Sequence, residues 1–588
     1  MSDSDEKKKR LAVLIASSFM LVVIGTAVTV GLNSHDSVEG GHGTDDEGDS
    51  SHVVVKNKAV EVICRPTDFK SECVESLEEE AIANVTDPKE LIKVSFTYTK
   101  QKLLEVVEQS AALKEAEKDP MASQALEICR DQVDLATYHL DKAFDRIGSL
   151  EVSTLNDVLS DLQTWLEAVL VFQETCFDEF ENVTSSAVPQ VKEALSHTKK
   201  FSDNALTMVL ELNGIFESLK IPGFNAAASI NLDADSPTPA HSRRLLQEDV
   251  PGHVEYPMWL DPVKRKLLAG GESAKHDLVI AQDGSGDFKT FKEAVPHLPV
   301  MGTVPFVVHV KAGTYKEKVN LSKDIWNIVW IGDDAATTKI TFGDNFVDGV
   351  KTYLSATVTI VGQGHVFKNV GFENSAGAIK HQAVAVVIDG DMTAFHNCRF
   401  DGYQDTLYAH ANRQFYRDCT ITGTVDFIFG DPRALFQNCQ ILARRPMDGQ
   451  QNMLTASGRE NRKSKTAIVL HNCTIDADQS LMPVKSQFPT YLGRPWKTYS
   501  RTVYLQSFIG DLIHPDGWYP WEGSFALKTC YYAEYGNRGP GSDTAKRVKW
   551  PGIKHIGPTQ AMRLTGGILL SPDQWVEDAG IPYTRSLV

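Results

Sequence analysis

Two aspartates in the C-terminal half of the chain recur at the same place in a sequence repeat. Asp405 follows Cys398 by seven residues, and Asp426 follows Cys419 by the same interval. Equivalent positions of stacked repeats lie one strand spacing apart, so the two carboxyl groups are expected to be neighbours. Neighbouring carboxyls cannot both ionise easily, which leaves one as a general acid and the other as a carboxylate that acts as base or nucleophile. The spacing therefore predicts a catalytic carboxyl pair.

Side chains near this pair in the sequence could assist the same chemistry. The amides of Gln382 and Gln404 can donate hydrogen bonds to a developing oxyanion. Arg494 is a candidate two-point donor to a buried Asp426, and Trp496 could stack on a sugar ring. Taken singly, a buried Asp–Arg pair is commonly structural and an aromatic residue commonly belongs to the core. Their occurrence together around repeated aspartates favours a functional site.

The repeat itself indicates the architecture that positions these groups. The cysteines of four similar β-rich segments are 21, 20 and 34 residues apart. A period of about 20 residues with strand character is typical of a β-solenoid. The segments are 396–400, 417–421, 437–441 and 471–475, with 367–372 as a fifth.

The repeated cysteines are candidates for a disulfide bond. Equivalent residues of adjacent coils lie roughly 4.8 Å apart, a separation that a disulfide tolerates. A Cys419–Cys439 bridge is therefore expected. The alternative is an interior ladder of reduced cysteines, because free cysteine is among the most buried residue types. Cys398, Cys473 and Cys530 remain unassigned.

Length, composition and charge exclude several classes of protein. The chain has 588 residues, too many for one core, and with 42% hydrophobic and 23% charged residues it is neither disordered, collagen-like nor a multi-span membrane protein. Residues 1–268 carry 26 Lys+Arg against 46 Asp+Glu (−20), and residues 269–588 carry 33 against 31 (+2), so the two parts differ in role. No zinc signature occurs, and no metal, cofactor or nucleic-acid partner is expected.

The N-terminus predicts entry into the secretory pathway. Basic residues 7–10 precede an uncharged run, 11–32, that is long enough to cross a bilayer with the positive flank inside. Its length favours a retained signal anchor, which would hold the precursor in the Golgi, over a cleaved signal peptide. No other membrane contact is expected. Residues 33–51 are rich in Gly, Asp, Ser and His, and a flexible spacer is predicted over 33–59.

The acidic part that follows, residues 60–230, is predicted to be a helical bundle. Glycine is rare there, and the simplest disulfide pairing is Cys64–Cys73 with Cys129–Cys176. No catalytic role is assigned to it. Apolar residues recur at helical spacing, as in Leu126, Cys129, Val133, Ala136, Leu140, Ala143 and Ile147.

A linker, residues 231–268, separates this bundle from the repeats. It is rich in Asp, Pro, Ser and Thr and would be open to proteolysis, although a merely solvated linker is the alternative. Two basic clusters lie in it: Arg243, Arg244, Leu245 and Leu246, then Arg265, Lys266, Leu267 and Leu268. Glycosylation sequons begin at Asn84, Asn182 and Asn320.

Segments of both parts resemble known families. Residues 160–168 and 176–178 resemble the invertase and pectin methylesterase inhibitor family, a disulfide-braced four-helix bundle. Residues 278–584 are similar to plant-type pectin methylesterases in the motifs 313–317, 382–385, 404–408, 423–430 and 492–496. The resemblance implies a precursor with an all-α inhibitor-like pro-domain and an all-β right-handed parallel β-helix, 269–588, as the catalytic domain.

The resemblance also implies roles for the site residues. Asp426 would attack the methyl ester carbonyl at C6 of a galacturonosyl unit and form an acyl-enzyme anhydride. Asp405 would protonate the departing methanol and then take a proton from the hydrolytic water. Gln382 and Gln404 would steady the oxyanion. No cofactor is needed.

Further roles follow from the same resemblance. Arg494 would hold Asp426 ionised, Trp496 would line the sugar cleft, and Thr352 stands where the family contacts substrate. The linker clusters would be processing sites, so a protease is a partner. Methyl-esterified homogalacturonan is the implied substrate, and separate inhibitor proteins of the same helical family are further implied partners. The mature enzyme would act in the cell wall.

The sequence leaves rival functions open. Another pectin-active β-solenoid, a glycosidase or lyase, would share the fold. A non-enzymatic inhibitor or wall-binding protein is a second rival. In a third hypothesis, the bundle inhibits or assists the folding of the β-helix until the linker is cut.

Overall fold

The protein is described here by a computed structural model, which covers residues 59–78, 87–108, 119–151, 154–181, 183, 188–218, 276–570 and 575–588. The predicted anchor at 11–32, the spacer, the sequons at Asn84 and Asn182 and the linker with its basic clusters lie outside the described residues. Within the described ranges, no helix is both long and apolar enough to cross a membrane. The same ranges contain no group of three or more His, Cys, Asp or Glu side chains that could hold a metal ion.

The N-terminal part is helical, as predicted. Its helices are α1 (Lys70–Glu78), α2 (Pro88–Glu108), α3 (Pro120–Gly148), α4 (Leu155–Glu179), α5 (Val188–Leu210) and α6 (Leu212–Ser218). Helix α3 begins where Asp119 accepts a hydrogen bond from the amide of Met121 at 3.0 Å and proline occupies the first turn.

Both predicted disulfides of this part are present. Cys64 is bonded to Cys73, and Cys129 of α3 is bonded to Cys176 of α4. The second bridge joins the two longest helices of the described bundle. It therefore fixes α3 beside α4, which matters because these two helices contact the rest of the chain.

The C-terminal part is a parallel β-helix of three sheets, as predicted. The strands are numbered along the chain, and each coil from β2 to β22 adds one strand to each sheet. The first sheet has the spatial order β1 (Leu278–Ile280), β2 (Phe306–Val310), β5 (Ile328–Gly332), β8 (Val366–Lys368), β11 (Thr393–His396), β14 (Arg413–Arg417), β17 (Arg433–Gln437), β20 (Ala467–His471), β23 (Arg501–Leu505), β25 (Tyr531–Tyr535) and β26 (Ile553–Lys554).

The other two sheets complete each coil. The second has the order β22 (Thr490–Gly493), β19 (Asn452–Ser457), β16 (Ile428–Gly430), β13 (Leu407–Ala409), β10 (Val386–Ile388), β7 (Val358–Ile360) and β4 (Val319–Leu321). The third has the order β24 (Phe508–Ile509), β21 (Thr474–Ala477), β18 (Gln440–Ala443), β15 (Thr420–Gly423), β12 (Arg399–Asp401), β9 (Gly371–Asn374), β6 (Thr338–Phe342) and β3 (Gly313–Lys316). Four short helices flank the coils: α7 (Phe291–Ala294), α8 (Pro558–Met562), α9 (Gly566–Leu569) and α10 (Trp575–Asp578).

Stacked aromatic rings fill the interior of the β-helix. Trp330, Phe367, Phe395, Tyr416 and Phe436 lie on successive coils, with ring centroids 5.9, 5.2, 5.0 and 4.2 Å apart. These separations are close to one strand spacing. Each coil therefore covers the apolar face of the next, and the repeat in the sequence follows from this stacking.

A polar residue turns the chain at a corner of each coil, before each repeated cysteine and before Val370 at the equivalent place in the fifth segment. Asn369, Asn397, Asp418, Asn438 and Asn472 all have φ between 53° and 57°. Asn and Asp tolerate this left-handed conformation better than other residues with a side chain. The corner thus explains why Asn or Asp recurs in the motif.

The expected Cys419–Cys439 bridge is wrong, because both residues are free, buried thiols. Cys398 and Cys473 are buried thiols at the same repeat position on the coils to either side, so no single pair is set apart. The sulfurs of Cys419 and Cys439 donate instead to main-chain carbonyls of their own coils, at 3.3 and 3.4 Å. The alternative of a reduced ladder describes the structure; Cys530 is a further buried thiol.

Candidate functional site

The two repeated aspartates lie on adjacent coils at equivalent positions. Leu407 pairs with Ile428 in the second sheet, and Asp405 and Asp426 precede these residues by two positions each. The amide of Asp405 donates to the carbonyl of Val425 at 3.0 Å, which holds the two turns together. The two residues are therefore stacked about one strand spacing apart, as the repeat predicted.

Both aspartates have an unusual backbone conformation just before the N-terminal ends of strands β13 and β16. Their φ angles are 62° for Asp405 and 52° for Asp426, in the left-handed region. Only 8% and 5% of their surfaces are exposed. Such conformations cost free energy in residues other than glycine and cluster at functional sites.

Burial and the cation of Arg494 affect the pKa values of the two carboxyl groups differently. Arg494 donates two hydrogen bonds to Asp426, from Nε to Oδ1 at 2.8 Å and from Nη2 to Oδ2 at 2.5 Å. Burial raises the pKa of Asp426, but the guanidinium opposes that rise. The pKa of Asp405 is raised well above its usual value by burial and by the charge of Asp426. This environment therefore favours the proton on Asp405 and the negative charge on Asp426.

Two glutamines lie beside the pair on adjacent coils. Gln382 and Gln404 form a parallel β-bridge, in which the amide of Ala383 donates to the carbonyl of Gln404 at 3.2 Å. The side-chain Oε1 of Gln404 is buried and has no hydrogen-bond partner among the described residues. Gln404 is thus next to Asp405 in sequence, and Gln382 occupies the position equivalent to Gln404 on the preceding coil.

Aromatic side chains form one wall of the cleft above the pair. Tyr408 and Phe429 stack with centroids 4.1 Å apart, and Trp496 lies 5.9 Å from Phe429. Gly458 allows this approach, because a Cβ there would lie 2.9 Å from the indole of Trp496. Trp521 lies 4.3 Å from the guanidinium of Arg494.

Three of these aromatics, Tyr408, Phe429 and Trp521, were not predicted as site residues from the sequence. Tyr408 follows Asp405 by three residues, and Phe429 follows Asp426 by three. The same repeat register that identified the aspartates could have identified this pair. Trp521 carries no such signal, because it lies beyond the last of the aligned repeats.

The helical bundle covers this cleft. Ile128 of α3 packs into one buried cluster with Tyr408 and Phe429. Thr175 of α4 lies 2.6 Å from His410, from its Oγ1 to the imidazole Nε2. The space left between α4 and the cleft wall is about 20 Å³, room for one water-sized molecule. The bundle therefore leaves no room for a sugar unit against this part of the cleft wall.

Ion pairs between the bundle and the β-helix all have the same polarity. Among the described residues, every such pair places the acid on the bundle and the base on the β-helix. The pairs are Asp134–Lys323, Asp161–Arg413, Glu167–Arg433, Glu179–Lys351, Glu174 and Asp178 with Lys497, Asp68 and Asp203 with Lys463, and Asp68–Arg462. The acidic part of the sequence therefore supplies the carboxylates of this interface, and the near-neutral part supplies the cations.

Comparisons with known proteins match both parts of the chain. The family model "Pectinesterase" matches residues 277–573, and the model "Plant invertase/pectin methylesterase inhibitor" matches residues 58–208. An Arabidopsis thaliana relative named "Probable pectinesterase/pectinesterase inhibitor 23" is 40% identical and covers 100% of both chains. "Pectinesterase/pectinesterase inhibitor U1" of Solanum lycopersicum is 37% identical over 100% of this chain and 98% of its own.

The chain belongs to the pectinesterase family. A solved structure, "Pectin methylesterase from Carrot", is 47% identical with a TM-score of 0.53 and covers 53% of this chain and 98% of its own. The carrot protein therefore corresponds in extent to the pectinesterase domain alone. Since its β-helix was solved without a helical domain, we expect residues 269–588 of this chain to fold without the bundle.

Hydrogen bonds, strand register and ring contacts connect most of the predicted site residues to neighbouring coils of the second sheet, but Thr352 does not join them directly. It lies half-buried before a short turn of 3₁₀ helix, Tyr353–Ser355. Among the described residues, no hydrogen bond joins the Thr352 side chain to the carboxyl pair. The sequon at Asn320 is exposed on β4, and the other two sequons lie outside the described residues.

Proposed function

We propose that the protein hydrolyses methyl esters of galacturonosyl units in pectin, with Asp426 as the nucleophile and Asp405 as the proton carrier. The observation that supports this most strongly is the stacked pair of aspartates, in which the environment favours the charge on Asp426 and the proton on Asp405. An ionised, oriented carboxylate lies beside a protonated one, which is the combination that acyl transfer with a poor leaving group needs. The reaction requires no cofactor.

In the first half of the reaction, a carboxylate oxygen of Asp426 attacks the ester carbonyl carbon. The carbonyl electron pair moves to oxygen, and the amides of Gln382 and Gln404 donate hydrogen bonds to the resulting oxyanion. When the carbonyl re-forms, the C–O bond to the methoxy group breaks. Asp405 gives its proton to the leaving oxygen, so methanol departs and an anhydride joins Asp426 to the sugar.

In the second half, water cleaves that anhydride. Asp405 is now ionised and takes a proton from the water as the water attacks the acyl carbon. The bond to Asp426 breaks, Asp426 leaves as a carboxylate, and the product is a galacturonate unit with a free carboxyl group. Arg494 keeps Asp426 ionised and oriented for the next turnover.

The aromatic wall and a polar position nearby would hold the polysaccharide. Trp496, Tyr408 and Phe429 present ring faces and edges to the cleft, and sugar rings stack on such surfaces. Thr352 would contact substrate from the side of the cleft that precedes β7. These contacts are proposed from the shape of the cleft and the family resemblance.

Product analysis separates this function from its rivals. Residues 269–588 should release methanol from highly methylated pectin without a fall in solution viscosity. A glycosidase or lyase would lower viscosity without releasing methanol. A folded protein that does neither would favour the non-enzymatic alternative.

Arg494 offers a test through the pH profile. As the pH is lowered, the Arg494→Gln variant should lose activity at a pH about 1 to 3 units higher than the wild type does. Asp426 must be ionised to attack, and removal of the cation leaves its burial unopposed, so its pKa rises. The pH dependence of kcat/KM measures this shift. Arg538→Gln, at a guanidinium that bonds Asn472 at 3.1 Å, is the control, and an unmoved acidic limb in Arg494→Gln would contradict the role.

We further propose that the bundle is an inhibitory pro-domain, approximately residues 60–230, which leaves when a protease cuts the linker at 243–246 or 265–268. The position of α4 in the cleft supports the inhibition. The mature domain, 269–588, would then act on methyl-esterified homogalacturonan in the cell wall, and separate inhibitor proteins of the same helical family could occupy the vacated surface. The N-terminal segment 11–32 would carry the precursor into the secretory pathway.

Release of the cut bundle should be easier at high pH. Burial raises the pKa of Asp178 to about 7, although the nearby Lys497 opposes the rise. A carboxyl group whose pKa is raised in the docked state binds more protons there than in the free bundle. Protonation of Asp178 therefore stabilises the docked state fully below about pH 4 and progressively less up to pH 7. This stabilisation is lost as the pH rises through 7. Lys199 and Lys497 lower the pKa of Glu174 against the effect of its burial. Glu174 therefore has the opposite effect on the pH dependence of docking, and it has this effect only in the acid range.

Size-exclusion chromatography of the linker-cut protein would show this. More free bundle is expected at pH 8 than at pH 5.5, and the difference should shrink in Asp178→Asn, which cannot titrate. Equal dissociation of the wild type at both pH values would contradict the assignment.

A further inference from the structure

The strand that leads to Arg494 is held from inside the β-helix. Arg494 directly follows β22, and β19 lies between β22 and β16, the strand that follows Asp426. In the register of the second sheet, Thr455 of β19 pairs with Ile428 on one side and with Gly493 on the other. Thr455 therefore lies between the strand of the nucleophile and the strand of the cation that bonds it.

Two hydroxyl groups bind one main-chain carbonyl just before Arg494. Oγ1 of Thr455 donates to the carbonyl oxygen of Leu492 at 2.9 Å, and the phenol of Tyr504 donates to the same oxygen at 2.7 Å. Tyr504 belongs to β23 of the first sheet, and its ring lies in the apolar interior together with Leu492. The carbonyl is therefore held by side chains from two different sheets.

Packing alone does not account for these hydroxyl groups. Thr455, Leu492 and Tyr504 are all 0% exposed. A hydroxyl group that is removed from water costs free energy unless it is hydrogen-bonded, and phenylalanine or valine would fill nearly the same space without that cost. What the two hydroxyls add is a fixed orientation for the peptide that joins Leu492 to Gly493.

Main-chain contacts extend this hold to Arg494 itself. The amide of Leu492 donates to the carbonyl of Gly517 at 2.7 Å, and the amide of Arg494 donates to the carbonyl of Thr455 at 3.0 Å. A Cβ at Gly493 would lie 2.2 Å from Oγ1 of Thr455, so glycine is needed for this approach. Thr455 thus fixes the chain both before and at the residue that carries the guanidinium.

We propose that Thr455 and Tyr504 are positioning residues for the ester hydrolysis, because their hydroxyls set the place from which Arg494 reaches Asp426. The inference rests on the proposed esterase function and deepens it. The guanidinium makes two hydrogen bonds to the carboxylate, at 2.8 and 2.5 Å, and a displaced main chain would disturb both at once. The hydroxyls therefore act on the nucleophile through Arg494.

Removal of either hydroxyl should move the acidic limb of the kcat/KM profile to higher pH. Tyr504→Phe and Thr455→Val, made in residues 269–588, each remove one donor and keep most of the side-chain volume. A misplaced guanidinium opposes the effect of burial on the pKa of Asp426 less well, so the carboxylate is protonated at a higher pH. We expect an upward shift of about 0.5 pH unit in each variant and a kcat about three- to tenfold lower. Thr455→Ser keeps the hydroxyl and should keep the wild-type limb.

The test substitutions leave the groups around the nucleophile unchanged. Among the described residues, Asp405, Arg494 and Tyr532 are the titratable groups that interact electrostatically with Asp426. Tyr519 and Asp405 also act on the charge of Arg494. None of these is altered, so a moved limb reports the placement of Arg494.

A matched control lies near the other end of the β-helix. Tyr315 is also 0% exposed, and its hydroxyl donates to the main-chain carbonyl of Lys311 at 2.8 Å. Tyr315→Phe should lower the thermal unfolding temperature about as much as Tyr504→Phe does, but leave the acidic limb unmoved. An equal shift in this control would overturn the proposal, and so would an unmoved limb in both Tyr504→Phe and Thr455→Val.

A double variant shows whether the effect passes through the guanidinium. In the Arg494→Gln background, Tyr504→Phe should cause no further shift of the acidic limb, because the group that it positions is gone. A further shift as large as in the wild-type background would overturn the proposal.

An NMR titration separates this inference from the esterase function. The side-chain carboxyl carbon of Asp426 is followed in residues 269–588 that contain ¹³C-labelled aspartate, without pectin, and its signal is assigned by its loss in Asp426→Asn. The pH at which Asp426 is protonated should be higher in Tyr504→Phe than in the wild type, and unchanged in Tyr315→Phe. Identical titrations of Tyr504→Phe and the wild type would overturn the positioning role even in an active esterase. A shifted titration in a protein that releases no methanol would support that role and contradict only the proposed function.

Discussion

Replacing Asp426 by Asn is expected to lower kcat for methanol release by about 10⁴-fold or more. Asparagine keeps the shape of the side chain, but its neutral amide cannot attack an ester and form an anhydride. The change also leaves the guanidinium of Arg494 without its carboxylate partner. Asp405→Asn should cost about 10² to 10⁴-fold, because it removes the proton carrier but not the nucleophile.

A matched control distinguishes loss of chemistry from loss of structure. Asp401 is another buried aspartate of the β-helix, 9% exposed, which accepts a hydrogen bond from Thr422 at 2.9 Å in the third sheet. Asp401→Asn should keep kcat within a few-fold, and thermal unfolding of all three variants shows that they are folded. Full activity in a folded Asp426→Asn variant would exclude this residue as the nucleophile.

Displacing the bundle from the cleft should have the second largest effect on methanol-releasing activity. The uncut chain is expected to have at most a few per cent of the methanol-releasing activity of residues 269–588, because α4 fills the cleft. Asp178→Lys places a second cation against Lys497 in a buried contact and should raise the activity of the uncut chain at least about tenfold. All of the altered atoms belong to the bundle, so the catalytic groups are untouched.

The control for this experiment lies on the same helical domain. Asp141 of α3 is exposed and pairs with Lys100 of α2 at 2.7 Å, within the bundle. Asp141→Lys should leave the uncut chain as inactive as the wild type. If the uncut wild type already equals residues 269–588 in activity, the bundle is not an inhibitor, and a folding role becomes the better explanation.

The carboxyl pair was predictable because a solenoid converts sequence period into spatial contact. Once the cysteines set a period of about 20 residues, the intervals to Asp405 and Asp426 determined that they stack. Arg494 was predictable as a partner because a buried carboxylate needs one. Tyr408 and Phe429 obey the same register and were missed only because aromatics are usually core residues.

The cysteine ladder shows where the same reasoning failed. A period fixes which residues are neighbours, but Cys419 has an equivalent neighbour on each side and gains a carbonyl acceptor as a thiol. Proximity alone could not decide between bridge and ladder. Thr352 shows a different limit, since it belongs to no repeat and its position came only from the family resemblance.

The placement of the bundle could not be predicted from the sequence. Its contacts join residues that are far apart in the chain, such as Trp165 and Asp391, which are 226 positions apart and whose Nε1 to Oδ2 distance is 2.9 Å. Helical periodicity identifies which residues of α4 are apolar, but not which surface they cover. The uneven charge of the two parts was one indirect indication that they dock. An acidic domain can pair with a basic face of another domain even when that second domain is close to neutral overall.

Chemical trapping of the intermediate tests the central claim most directly. Residues 269–588 are mixed with methylated pectin, quenched with hydroxylamine and digested, and the aspartates are examined by mass spectrometry. The account predicts a hydroxamate on Asp426 that requires pectin and is absent from Asp426→Asn. Methanol release with no label on Asp426, or with the label on Asp405 instead, would contradict it.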